Sequence, residues 1–204
     1  MTIELHRGDL PEEIEFGSTV AVDTETQGLK TYRDRLCLVQ LSAGDGVCHL
    51  VHFPEPHYNA PNLSRIVDDT SILKIFHFAR FDISVLNYYL GTNCRPVYCT
   101  KIASKLTRTY TDKHGLRDLC KDLFDIDLVK EHQSSDWAAT QLSEAQLEYA
   151  ANDVLYLHRI KKVLDERLGR EGRTKMAQAA FNFLLTRSEM DIAGFESEDI
   201  FAHS

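Results

Sequence analysis

The sequence predicts an α/β fold: a meander of three strands, then alternating strands and helices, then helices closing a sandwich. Three observations carry this. Short apolar, β-branched runs occupy residues 18–24 (STVAVDT), 36–43 (LCLVQLSA) and 47–53 (VCHLVHF), the pattern of strands buried within a sheet. Strand-like text at 73–78 and 96–99 then alternates with helical text. Finally, apolar residues at Leu147, Ala150, Val154, Leu157, Ile160 and Leu164 recur close to the 3.6-residue helical period.

Taken in order, the second and third runs are separated by Gly44-Asp45-Gly46, which reads as a hairpin because glycine supplies the positive φ of a tight turn. Residues 61–69 form a short helix that opens on Pro61, where a missing N–H costs nothing. The LKIFHF strand at 73–78 leads into a helix over 80–90, ended by Gly91. A strand at 96–99 precedes helices at 100–108 and 115–123. Residues 133–141 are polar around Trp137 and read as a loop, anchored on the core by its tryptophan. Ser143 and Gln146 make a capping box, with Leu142 and Leu147 as the hydrophobic staple, so one helix is expected from Ser143 to about Leu168. A last amphipathic helix covers 173–187. The chain of 204 residues is expected to be a single domain, its motif-bearing core at about 18–168, followed by a C-terminal helix and tail at 173–204 and no further RNA-binding domain.

Composition narrows the class. Hydrophobic residues make up 43% and charged residues 26%, an ordinary globular balance. No run approaches the ~20 apolar residues of a membrane span, and the N-terminal MTIELHRGDLPEE lacks the apolar core of a signal peptide. The five cysteines are odd in number and form no C-x-x-C pair, which fits a reduced, cytoplasmic setting. The nine histidines show no zinc spacing, so most read as surface or supporting residues. Net charge is −8, yet residues 101–121 carry six basic against two acidic residues. That window is +4 on a remainder of −12, and a local basic patch on an acidic body suits a small anion better than a long polymer.

The chemistry centres on acids. Asp23 and Glu25 flank Thr24 at the end of the first run. Side chains alternate along a strand, so the two carboxylates share a face, about 7 Å apart along the chain. The carboxyl ends of strands in open α/β sheets are where ligands bind. Asp82 follows the LKIFHF strand in the first turn of a helix. Asp153 lies four residues after Tyr149, so phenol and carboxylate share one helix face. Each has an ordinary explanation alone: a solvated strand end, a helix-dipole complement, a core tyrosine. Together they form a carboxylate-rich, cysteine-free set that selects magnesium or manganese rather than zinc. Two such ions clamp the attacking and leaving oxygens of a phosphoryl displacement.

The motifs VDTET (22–26), HFARFD (77–82) and YAAND (149–153), in that order, resemble the three exonuclease motifs of the DEDD superfamily in its tyrosine variant. The surrounding text CTKIA, HGLRDL and QSSDW is similar to the ribonuclease D branch. The resemblance implies a ribonuclease H-like fold, a mixed sheet flanked by helices. It also implies two divalent cations, Mg²⁺ or Mn²⁺, held by Asp23, Glu25, Asp82 and Asp153, with Tyr149 placing the attacking water for 3′→5′ cleavage.

Two departures from ribonuclease D stand out. The chain stops soon after the nuclease motifs, and Phe78 stands where that branch commonly reads H-N-A. HFARFDI, YCTKIASKLTRTYTDKHGL and SSDWAATQLS resemble instead the nanoRNase C branch. That resemblance implies diribonucleotides as substrates, linear di-GMP among them, and a ring-shaped homo-octamer. Leu29 resembles the apolar wedge that oligoribonuclease-type members insert between two bases. Thr24 is a candidate substrate-binding residue, and His77 and Phe81 are candidates for the 3′-nucleoside pocket, with core packing at a strand end the ordinary role for Phe81. Arg108, Tyr110, Lys113 and His114, in RTYTDKH, are candidates for capping a terminal 5′-phosphate. The rival readings are a general 3′→5′ exoribonuclease acting on longer or structured RNA, and a catalytically dead nuclease fold retained as a binding module.

Overall fold

A computed structural model describes residues 1–128 and 135–203. Gln133 and Ser134 of the tryptophan loop lie outside the described residues. The elements in chain order are strands β1 (Thr2–Arg7), β2 (Thr19–Thr26), β3 (Leu36–Ser42) and β4 (Val47–His52), helix α1 (Pro61–Asp68), β5 (Leu73–Phe76), α2 (Ala79–Leu90) and β6 (Val97–Cys99). Helices α3 (Thr100–Thr107), α4 (Leu116–Phe124), α5 (Glu144–Leu155), α6 (Leu157–Arg170) and α7 (Thr174–Met190) follow, and a π-helical turn spans Asp191–Phe195.

The strands form one mixed sheet in the order β1-β4-β3-β2-β5-β6. The antiparallel pairs β2–β3 and β3–β4 are the expected meander, with Gly44 and Gly46 at positive φ in the hairpin. Strands β5 and β6 add in parallel beside β2. Every residue of β3 is buried, as its unbroken apolar text requires of a central strand. Helix α5 packs against β2, β3 and β4, while α7 packs on α2 and β6. Among the described residues, no helix is long and apolar enough to cross a membrane, and all five cysteines are buried and unbridged.

Three sequence expectations need correction. Strand β1 was not expected, because TIELHR lacks an apolar run. It is an edge strand, parallel to β4 alone, and charged, exposed positions are how edges avoid pairing with other chains. The LKIFHF strand ends at Phe76, since Phe78 adopts the left-handed region at φ 71° and starts α2. The expected single helix over 143–168 is two, divided at Tyr156. Its apolar period continues across the break, but α5 packs on the sheet and α6 on α3, α4 and β5. A period reports burial and is blind to a change of burying partner. The predicted N-terminus holds: Ser143 Oγ accepts from Gln146 N, and Gln146 Oε1 accepts from Ser143 N at 3.0 Å.

Candidate active site

Strand β2 brings Asp23 and Glu25 to one end of the central sheet, where its register with β3 slips between Glu25 and Thr26. An irregularity of this kind twists a strand and re-aims its side chains. Thr24, between the two acids, is buried and its hydroxyl donates to Asp82 Oδ1 at 2.7 Å. Gln40, from the neighbouring strand, donates Nε2 to Asp23 Oδ2 at 3.3 Å. Asp153 comes from α5, which crosses the same strands. Carboxylate oxygens of Asp23, Glu25 and Asp153 all lie within 4.8 Å of one another. Asp82 stands behind this trio, 3% exposed and outside the tight group of oxygens, but close enough to raise the proton affinity of each of the three.

Four acids so placed repel one another. Burial first, then the neighbouring carboxylates, pushes Asp23 and Glu25 well above the usual carboxylate range. Burial lifts Asp82 to about 7 against the opposing hydrogen bond from Thr24. Burial and Asp82 lift Asp153 to about 7. Buried carboxylates without a counter-charge are costly, and no lysine or arginine pairs with these among the described residues. The donor set is all oxygen, converging and under-neutralised, which fits hard divalent cations. Tyr149 shares the α5 face with Asp153. Burial, followed by Asp153, Glu25 and Asp23, holds its phenol far above the ordinary value, so it stays protonated and able to hydrogen-bond. Trp137 packs beside it, ring centroids 6.0 Å apart.

Asp23, Glu25, Asp153, Tyr149 and Trp137 open into a cleft of about 940 Å³ lined also by Thr24, Leu29, His77 and Phe81. Leu29 is 82% exposed on a loop whose shape depends on glycine. A Cβ at Gly28 would collide with the Asp34 carboxylate, and Asp34 accepts from Lys30 N at 2.9 Å to close the loop. His77 Nδ1 lies 2.9 Å from Thr100 Oγ1. Burial and then Lys101 pull its pKa down to about 3, so the ring is neutral at any working pH. The left-handed Phe78 beside it occupies the position where ribonuclease D commonly carries asparagine, a residue that tolerates this backbone at lower cost.

The proposed phosphate cap is not brought to this cleft within one chain. Arg108 is 2% exposed. Its guanidinium donates to Lys113 O at 2.6 Å and Ser104 Oγ at 3.2 Å and pairs with Asp122 at 3.2 Å, so it folds the loop after α3 against α4. His114 Nδ1 is 2.9 Å from Ser104 Oγ. Tyr110 is exposed beside Arg167, and Lys113 is exposed. The cations on the rim are Lys101, Arg117 and Lys121. All three belong to the basic window that marked an anion patch, but charge density could not tell which members face the acids. Lys121 pairs with Asp125 and Asp127 at 2.7 and 2.9 Å, which leaves Lys101 and Arg117 as the rim cations without an ion pair among the described residues.

Comparison with known proteins places this geometry. A family model described as 3′-5′ exonuclease matches residues 7–169. Ribonuclease D of Gluconacetobacter diazotrophicus is 38% identical over 154 residues, 76% of this chain and 39% of the relative, so the chain spans about two fifths of the curated relatives it matches. The structure of Brucella melitensis NrnC bound to pGG superposes with TM-score 0.96 at 58% identity, covering 100% of both chains. The same protein with bound Mg²⁺ superposes with TM-score 0.96 at 57% identity. The chain therefore belongs to the 3′-5′ exonuclease family, and within it is similar to ribonuclease D and NrnC.

Proposed function

We propose that this protein hydrolyses short RNA from the 3′ end, with diribonucleotides, linear di-GMP included, as its preferred substrates and 5′-mononucleotides as products. The observation that carries this is the trio of carboxylates within 4.8 Å, backed by buried Asp82, at the floor of a cleft with cations on its rim. Asp23, Glu25, Asp82 and Asp153 would hold two Mg²⁺ or Mn²⁺ ions. When bound, such ions polarise the scissile phosphate and lower the pKa of a water.

The chain's own residues do the rest. Thr24 and Gln40 fix the orientation of Asp82 and Asp23 through the hydrogen bonds above. The protonated phenol of Tyr149 orients the attacking water without giving up its own proton. Lys101 and Arg117 offset phosphate charge at the rim. Leu29 stands where it can separate two bases, while His77 and Phe81 wall the nucleoside pocket. A cleft with few cations on a chain of net charge −8 supports a short substrate, because tracking a long backbone needs many phosphate contacts. The pGG carried by the NrnC relative supports the same length.

The resemblance to nanoRNase C supports assembly as a ring-shaped homo-octamer; sedimentation at eight chain masses is the expected result, and a monomer would refute it. Arg108, Tyr110, Lys113 and His114 retain a phosphate-capping role only if a neighbouring subunit carries them to the cleft. The activity itself is tested with 5′-labelled RNA and Mg²⁺ or Mn²⁺. Stepwise shortening from the 3′ end that chelation abolishes is expected; internal cuts, or cleavage that persists in chelator, would overturn the assignment.

A further inference from the structure

A second cluster of potential ligands lies at the far edge of the sheet, on β1 and β4, with β3 between it and the acid-bearing β2. Glu4 and His6 are two residues apart on β1, so their side chains share a face. Glu4 sits directly opposite His49 on β4. One oxygen or nitrogen from each of the three lies within 4.8 Å of the others. His49 Nδ1 is 3.2 Å from Glu4 Oε2 and 3.2 Å from His6 Nε2.

From this geometry we propose that Glu4, His6 and His49 form a binding site for a transition-metal cation, zinc in the first instance, independent of the catalytic acids. A tetrahedral centre with metal–ligand distances of about 2.0–2.1 Å sets neighbouring ligand atoms roughly 3.3 Å apart, which both observed contacts match. Hydrogen bonding serves the cluster less well. His49 Nδ1 carries at most one proton and cannot direct it along both contacts. With neutral rings, one contact is therefore left without an aimed hydrogen bond, and a cation accepting a lone pair from all three groups satisfies both. Phe16 packs its edge on His49 at 5.5 Å between centroids and holds the ring in place. Two imidazoles and one carboxylate leave a fourth position for water, the arrangement of an open zinc site. Bound there, the cation would fasten the edge strand β1, which pairs with β4 alone, to the body of the sheet.

The test measures zinc bound to the full-length protein by equilibrium dialysis in millimolar Mg²⁺, which favours the all-oxygen cluster and competes poorly for imidazole. One zinc per chain is expected, with a rise in melting temperature of about 5 °C or more at roughly a hundredfold excess over Kd. Cobalt in its place should give the intense visible bands of a tetrahedral ion. Both signals should vanish in His6→Asn and His49→Asn while hydrolysis of RNA is unchanged. Glu4→Gln, at an exposed position where the fold cannot depend on it, should weaken zinc by about tenfold or more. No zinc on the wild-type protein, or undiminished zinc on all three variants, overturns the site.

Discussion

Asp153→Asn should cut the rate of RNA cleavage at saturating Mg²⁺ by at least about 10³-fold and, in the same protein without metal, raise the melting temperature. The two effects have one cause. Asp153 is one of three carboxylates within 4.8 Å, and Asp82 stands close enough to raise its proton affinity. With cations bound, its charge is part of the cage, and losing it removes transition-state stabilisation of about 4 kcal/mol or more. Without cations, the same charge is repelled by its neighbours and poorly solvated. An isosteric amide should then stabilise by about 1–2 kcal/mol, or roughly 2–8 °C for a chain of this length. Rates from single-turnover cleavage and melting curves in chelator measure both halves. A variant that keeps wild-type rate, or melts lower without metal, would contradict the reading of this cluster as a site strained for cations.

The stabilisation that Mg²⁺ confers should be small at pH 5 and grow steeply as pH passes through about 7. The sign follows from Asp82 and Asp153, both lifted from an ordinary 3.8 to about 7 by burial, with Asp82 also acting on Asp153. An acid whose folded pKa is raised binds its proton more tightly in the native state. Its contribution to stability is fully present below about 4 and is lost as pH climbs through about 7. In that window the metal-free protein therefore gives up stability, on the order of a few kcal/mol across the coupled cluster. Cations must displace those protons, so their binding strengthens over the same interval. The buried neutral histidines titrate equally with and without Mg²⁺, and taking the difference between paired melting curves cancels them. A Mg²⁺-induced shift that is flat from pH 5 to 8 would sink the claim that these raised carboxylates are the ligands.

What the sequence revealed of this site was local. The strand spacing of Asp23 and Glu25, the Tyr149–Asp153 step along one helix face and the capping box at Ser143 each depend on neighbours a few residues away. The structure shows all three where the text placed them. What stayed hidden depends on distant partners. Arg108 looked available for phosphate because its charge is visible in sequence; the Asp122 carboxylate and the Lys113 carbonyl that occupy it are not. Tyr156 divides a helix whose apolar period runs on unbroken, because the two halves are buried against different elements. Edge strand β1 carries no apolar run to announce it. The Glu4–His49 register therefore cannot be read from histidine spacing, although it assembles a metal-ligating set. Asp82 was found in sequence, but not the Thr24 hydroxyl that donates to it across 58 residues of chain.

The account rests on a carboxylate-floored cleft proposed to finish short RNA. The most direct test is kcat/KM for a 5′-phosphorylated diguanylate against a ten-nucleotide RNA of the same 3′ end, measured side by side in Mg²⁺. The account predicts a preference for the dinucleotide of about a hundredfold or more, worth about 3 kcal/mol in transition-state binding. Equal turnover of the two would contradict it and make this chain a general trimmer of RNA ends.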